Sequence, residues 1–133
     1  MSGIHVYNRL KECHEGENNF KIFRGASVLG NPYTDIKDRE TKAQFVCKNR
    51  EEALEKYSHY FDVMYNGNID FRATIDMIYD EYKNGRDVWL ECYCAPKKCH
   101  GDIIAEKLQQ RLIREKIEII KQEKKSPRKI FIT

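Results

Sequence analysis

The chain has 133 residues, 41% hydrophobic and 34% charged, with a formal net charge of +3. That is the length of one domain with a single sizeable core, and no run approaches the roughly 18 apolar residues of a membrane span. The opening MSGIHVYNRLKE has no apolar run of the secretory kind, and five cysteines, three of them inside eight residues, argue for reduced thiols rather than a disulfide framework. A cytoplasmic α/β protein is the expectation.

In chain order, Ile4-His5-Val6-Tyr7 is a short strand candidate, and the polar stretch from Lys11 to Asn19 reads as a loop. Asn19 to Arg24 alternates apolar and polar residues, which predicts a second strand. It runs into Gly25 to Tyr33, where two glycines and Asn31-Pro32 mean a structured turn. Lys37 to Lys48 is highly charged and is read as irregular, or as a short helix around Phe45.

Asn49 with Glu52 three residues later forms a helix start of the capping-box kind. Ala53, Leu54, Tyr57, Tyr60, Phe61 and Met64 continue it as a core-facing stripe, ended by Asn66-Gly67-Asn68. A second helix carries Ile75, Ile78, Tyr79 and Tyr82 and stops at Asn84-Gly85. Both stripes are read as core rather than as stacking platforms. Val88 to Tyr93 has the composition of a buried strand. Pro96 ends it, and a final helix is expected to about Gln122, with Ile104, Leu108, Leu112, Ile113, Ile117 and Ile120 on one face. Pro127 terminates that helix, and Lys129 to Ile132 reads as a last short strand.

The densest chemistry lies in Cys92 to Asp102, CYCAPKKCHGD. Cys92, Cys94, Cys99 and His100 would supply four zinc ligands, the number a tetrahedral site needs, though the spacing is unusual. Cys13-His14 could add to them. The alternative for Cys92 is a small core residue. Cys99, at a helix start beside His100 and behind two lysines, has reasons for a lowered pKa and a nucleophilic role. A phosphatase-type loop is absent: six residues beyond Cys92 stands Lys98, and beyond Cys94 stands His100, where an arginine would be needed.

Anion recognition is the third reading. Backbone N–H groups of Gly101, Asp102 and Ile103 start a helix and suit a phosphate, and Lys97 and Lys98 add charge. Asp102 could instead cap those amides, or hold His100 or a ribose hydroxyl. The second constellation is Arg24 to Pro32, where Gly30 permits close approach of a ligand and Asn31 offers both donor and acceptor. If the two strands are neighbours, both loops share one end of the sheet.

The motifs R-G-x-S-x-L-G-N-P-Y (Arg24 to Tyr33), C-x-C-x-P-x-x-C-H-G-D (Cys92 to Asp102) and R-E-E-A-x-x-x-Y (Arg50 to Tyr57) resemble an uncharacterised small α/β domain-of-unknown-function family of bacteria and phages, with GNP and CHG as hallmarks. The resemblance covers roughly Phe20 to Leu108. A more distant likeness is to small α/β proteins ending in a C-H-R motif, where this chain has Gly101. The family resemblance implies a single-domain Rossmann-like fold with a short, partly parallel sheet flanked by helices, and carries no settled activity. The polar insertion at Lys11–Asn19 and the basic helix and strand over 109–133 depart from it.

The resulting expectation is a nucleotide or nucleotide-derived phosphate ligand, held by Arg24, Gly30, Asn31, Lys98, Cys99, His100, Gly101 and Asp102 without a cofactor, in a sensor, a sequestering protein or an enzyme. Binding is preferred over catalysis, because adjacent Cys99 and His100 diverge on a helix start. The rival is a structural zinc module touching nucleic acid through Ala105–Thr133, which carries nine Lys/Arg against four Glu. No aromatics interleave with those cations, so a solvated helix face is the preferred reading of that segment. Oligomeric state is left open.

Overall fold

A computed structural model describes residues 3–14, 18–24, 26–34, 45–93 and 97–125. The strands are β1 (Ile4–Asn8), β2 (Asn19–Lys21), β3 (Tyr33–Thr34), β4 (Phe45–Val46) and β5 (Val88–Cys92). The helices are α1 (Arg50–Gly67), α2 (Ile69–Lys83) and α3 (His100–Lys125). The fold is α/β.

Strand β5 is the hub. It lies between β1 and β2 in a three-stranded parallel sheet, in register Ile4 with Val88 and Asn19 with Trp89. Its alternate residues Val88, Leu90 and Cys92 are buried with Ile75 and Ile78 of α2 and Ile104 and Leu108 of α3. Trp89 and Glu91 face the other way, as the two-residue period of a strand requires. There they meet Tyr7 of β1 and His14 of the loop after it: Tyr7 donates to Glu91, and the His14 ring stacks on Trp89 at 3.6 Å. The helices therefore cover one face of the sheet, and part of the polar loop covers the other.

The helix boundaries follow from local chemistry. Asn49 caps α1 by accepting from the N–H of Glu52 at 2.8 Å. The Glu52 carboxylate reaches back to the N–H of Lys48, one residue earlier than a capping box would place it. Asn68 serves two helices. Its N–H closes α1 on the Met64 carbonyl, and its side chain accepts from the N–H of Phe71 to open α2. Gly85, at φ 85°, turns the chain out of α2 into β5. In the core α2 also contributes Phe71, fully buried.

Three expectations change. The second strand ends at Lys21 rather than Arg24, because Ile22 leaves the sheet after its N–H bonds to the Glu91 carbonyl. Phe45 is not helical; with Val46 it pairs in parallel with Tyr33–Thr34 as a separate two-stranded sheet. The isoleucines of α3 do not share one face. Ile104 and Leu108 are buried and Leu112 partly so, whereas Ile113, Ile117 and Ile120 are exposed. A helix turns about 100° per residue, so Ile113, nine residues beyond Ile104, stands on the opposite side from it. The terminal strand expected at Lys129–Ile132, the stop at Pro127 and the turn at Pro96 lie outside the described residues. No helix among the described residues is long and apolar enough to cross a membrane.

Candidate functional site

The loops after β2 and β5 both leave the C-terminal ends of parallel strands, and the structure brings them together. His100, the first residue of α3, places its Nε2 2.7 Å from the Ile22 carbonyl oxygen. A carbonyl only accepts, so Nε2 is the protonated nitrogen of a neutral ring. The ring is buried, edge-on to Tyr57 at 5.1 Å. Burial pushes its pKa down to about 4, and the Arg24 charge adds to this against the opposing bond to Ile22.

Gly101 is next in the turn. A Cβ there would stand 2.8 Å from Ile22 Cδ1 and 2.9 Å from Val6 Cγ1, so a glycine lets α3 approach both β1 and the chain leaving β2. Asp102 reaches back with its carboxylate to the N–H of Cys99 at 2.8 Å. That amide precedes the helix, and is not one of the Gly101, Asp102 and Ile103 amides the sequence offered Asp102 to cap.

Cys99 is buried, with its Sγ 3.6 Å from Cys92 Sγ. The Cys92 thiol and burial push the Cys99 pKa up. This reverses the lowered pKa expected at a helix start: enclosure by a second thiol and apolar neighbours outweighs the helix dipole. Cys92 lines the core, as its alternative reading has it.

The Arg24-to-Tyr33 loop closes on itself. Arg24 Nη1 donates to the carbonyls of Asn31 (2.8 Å) and Tyr33 (3.1 Å), and the Asn31 side chain accepts from the Tyr33 N–H. A Cβ on Gly30 would stand 2.8 Å from Arg24 Cα, a backbone atom. That close crossing requires the glycine. Tyr57 ties the loop to α1 by donating to the Leu29 carbonyl. Arg50, at the start of the same helix, donates to the Lys98 carbonyl at 3.3 Å. The three motifs are thus one connected assembly, with Lys97 and Lys98 exposed at its rim. A groove of ≈ 420 Å³ lies beside Lys98, along β1 and α3, lined by Ile4, Val6, Lys98, Asp102 and Glu106 among others.

Sequence reasoning missed a neighbouring cluster. The Arg9 guanidinium lies over the rings of Phe23 (4.9 Å) and Tyr93 (5.5 Å), and Tyr93 is about half exposed. Behind them the buried Glu91 carboxylate accepts from Tyr7 at 2.8 Å and Asn19 at 2.9 Å, with Arg9 at 3.4 Å. Burial works against its charge, yet the bonds from Asn19 and Tyr7 and the Arg9 charge hold its pKa below the usual carboxylate range. A signal was present: Glu91 is the one acid in the apolar run VWLEC.

The zinc alternative needs Cys94, which lies outside the described residues. Among the described residues no group of three or more His, Cys, Asp and Glu could hold a metal ion.

The model of one family, Domain of unknown function (DUF4326), matches residues 6–110. The chain belongs to the DUF4326 family. No curated protein and no solved structure matches it. The DUF4326 match begins in β1, ahead of the motif-bearing stretch from Phe20, and so includes the polar loop after β1. It ends within α3, just beyond Leu108 and before the exposed isoleucines.

Proposed function

We propose that this DUF4326 domain binds a nucleotide or a nucleotide-derived phosphate compound over the C-terminal ends of β2 and β5. The observation that carries this is the joining of the two motif loops at one end of a parallel sheet through His100 and Ile22. In open α/β sheets that is where ligands sit. The fold in this reading is Rossmann-like, with the start of α3 directed at the phosphate.

The buried trio Cys99, His100 and Gly101 forms the frame. Contacts to the ligand fall to Lys98 and Arg24, to the backbone around Gly30 and Asn31, and to Asp102 at the helix start. The half-exposed Tyr93 beside Phe23 and Arg9 offers a flat surface for a base. Binding is favoured over catalysis at this position because the Cys99 thiol is buried with a raised pKa and the His100 nitrogen is already engaged. The compartment in this reading is the cytoplasm, where such ligands are abundant and thiols stay reduced.

Thermal shift of the purified chain against ATP, NAD, ADP-ribose and inorganic phosphate tests the reading. At least one nucleotide should raise the melting temperature. Lys98→Ala should weaken that ligand about tenfold while leaving the unliganded melting temperature unchanged, and Tyr93→Ala should weaken it similarly. A folded protein that responds to none of the four compounds removes the proposal.

A further inference from the structure

Helix α3 is longer than its domain needs. Its 26 residues span about 39 Å, while its buried residues end at Leu108, with Arg111, Leu112 and Glu115 partly covered and Glu115 accepting from Tyr79. Ile113, Ile117 and Ile120 are 57%, 47% and 52% exposed. They lie on the side of α3 opposite Leu108, spaced four and three residues apart, as the seam positions of a coiled coil are. The turn of the helix puts the seam on the side away from the buried Leu108, where among the described residues these side chains are about half exposed. The family match stops at residue 110, so this surface belongs to the extension and not to the shared domain.

We infer that this seam is a self-association surface, on which α3 of a second copy packs antiparallel. The charges beside the seam select both the occupant and the direction. With Ile117 of one copy facing Ile120 of the other, Lys116 falls opposite Glu123 of the second copy, and the pair occurs twice by symmetry. A parallel arrangement would instead set Lys116 against Lys121, like against like. One unfavourable pair remains in the antiparallel register, Arg114 with Lys121, and Glu118 stands one turn from both on the same helix, where it offsets them. Lys124 meets Ile113 at each end and covers it with its aliphatic stem.

An extended strand of the chain's own tail is the poorer occupant. Laid alone on an apolar helix, its backbone N–H and C=O groups would lose water without gaining partners, whereas a second helix satisfies its own. A seam of about two turns gives a reversible dimer rather than an obligate one.

Sedimentation velocity of the full chain across a concentration series is the experiment. The expected result is a monomer that becomes a dimer as concentration rises, and a monomer throughout for Ile117→Asn. Lys116→Glu and Glu123→Lys should each weaken association about tenfold or more. Mixed together, these two variants should pair with each other, because opposite charges then face across the seam. All three positions are exposed and beyond the family match, so the circular dichroism spectrum and melting temperature serve as the check on folding.

A full chain that stays monomeric at every concentration overturns the inference, as does a dimer that survives Ile117→Asn. Strengthening by Lys116→Glu would mean parallel packing and overturn the stated geometry. Dimerisation only after removal of residues 126–133 would assign the seam to that segment instead. Nucleotide binding is read separately by thermal shift, so the two proposals fail independently.

Discussion

His100 Nε2 and the Ile22 carbonyl oxygen stand 2.7 Å apart, 78 residues distant in the chain, and their bond fastens the start of α3 to the segment leaving β2. Because the ring is buried, its charge state is coupled to folding. The folded protein keeps it neutral down to about pH 4, while an unfolded chain takes up the proton near the ordinary 6.5. The stability this provides is therefore complete above pH 6.5. It falls as pH drops through the window from 6.5 to 4, by about 3 kcal/mol in total.

Urea unfolding at pH 7.5 and pH 5 reads this directly. His100→Phe keeps an aromatic ring but orphans the Ile22 carbonyl, at a cost of about 1–3 kcal/mol at pH 7.5. It should also flatten the pH dependence between 6.5 and 4. A variant as pH-sensitive as the parent would show that another group titrates.

The two motif glycines differ in what surrounds them, and substitution should separate them. At Gly30 an added methyl meets the backbone of Arg24 and Phe23; at Gly101 it meets the tips of the Ile22 and Val6 side chains. Side-chain tips yield more readily than backbone, so Gly101→Ala should cost about 1–3 kcal/mol, the ordinary range for overpacking. Gly30→Ala should cost more. Equal midpoints for the two variants in guanidinium unfolding would refute the close crossing at Gly30.

Glu91→Gln tests the buried carboxylate. The amide replaces an acceptor with a donor facing Tyr7, Asn19 or Arg9, at a cost of about 1–3 kcal/mol at pH 7. The folded pKa is depressed below the ordinary 4.5, so the native contribution is whole above that value and is lost as pH falls beneath it. The gap between parent and variant should accordingly narrow in acid. A gap constant from pH 7 to pH 3 would remove the carboxylate's charge from the account.

Thiol accessibility is the fourth expectation. Cys13 is exposed, whereas Cys99 and Cys92 are buried against each other. Iodoacetamide at neutral pH should label Cys13 at least about tenfold faster than Cys99, since only the thiolate reacts. Mass spectrometry of the native protein, with the denatured protein as reference, reports the ratio. Preferential labelling of Cys99 would restore it as a candidate nucleophile.

Much of the local structure was legible without coordinates. The cap at Asn49, the helix end at Asn66-Gly67-Asn68 and the glycine turn at Gly85 stood out because each is decided within a few residues. The two motif loops were equally plain as sequence. Their meeting was stated only as a condition, since it depends on β5 lying beside β2, a pairing across about 70 residues.

The sequence by itself determined an α/β domain, its three helices and the stretches where chemistry gathers, because turns, caps and hydrophobic periods act between near neighbours. Tertiary structure alone decided what those residues face. It set Cys99 against Cys92, raising a pKa that the helix start suggested would fall, and it engaged His100 on Ile22. It also decided that the face of α3 carrying Ile104 and Leu108 would be the buried one. The physical reason is common to all three. Spacing along a chain fixes which residues share a face, but burial and charge state depend on what another element, distant in sequence, brings to that face.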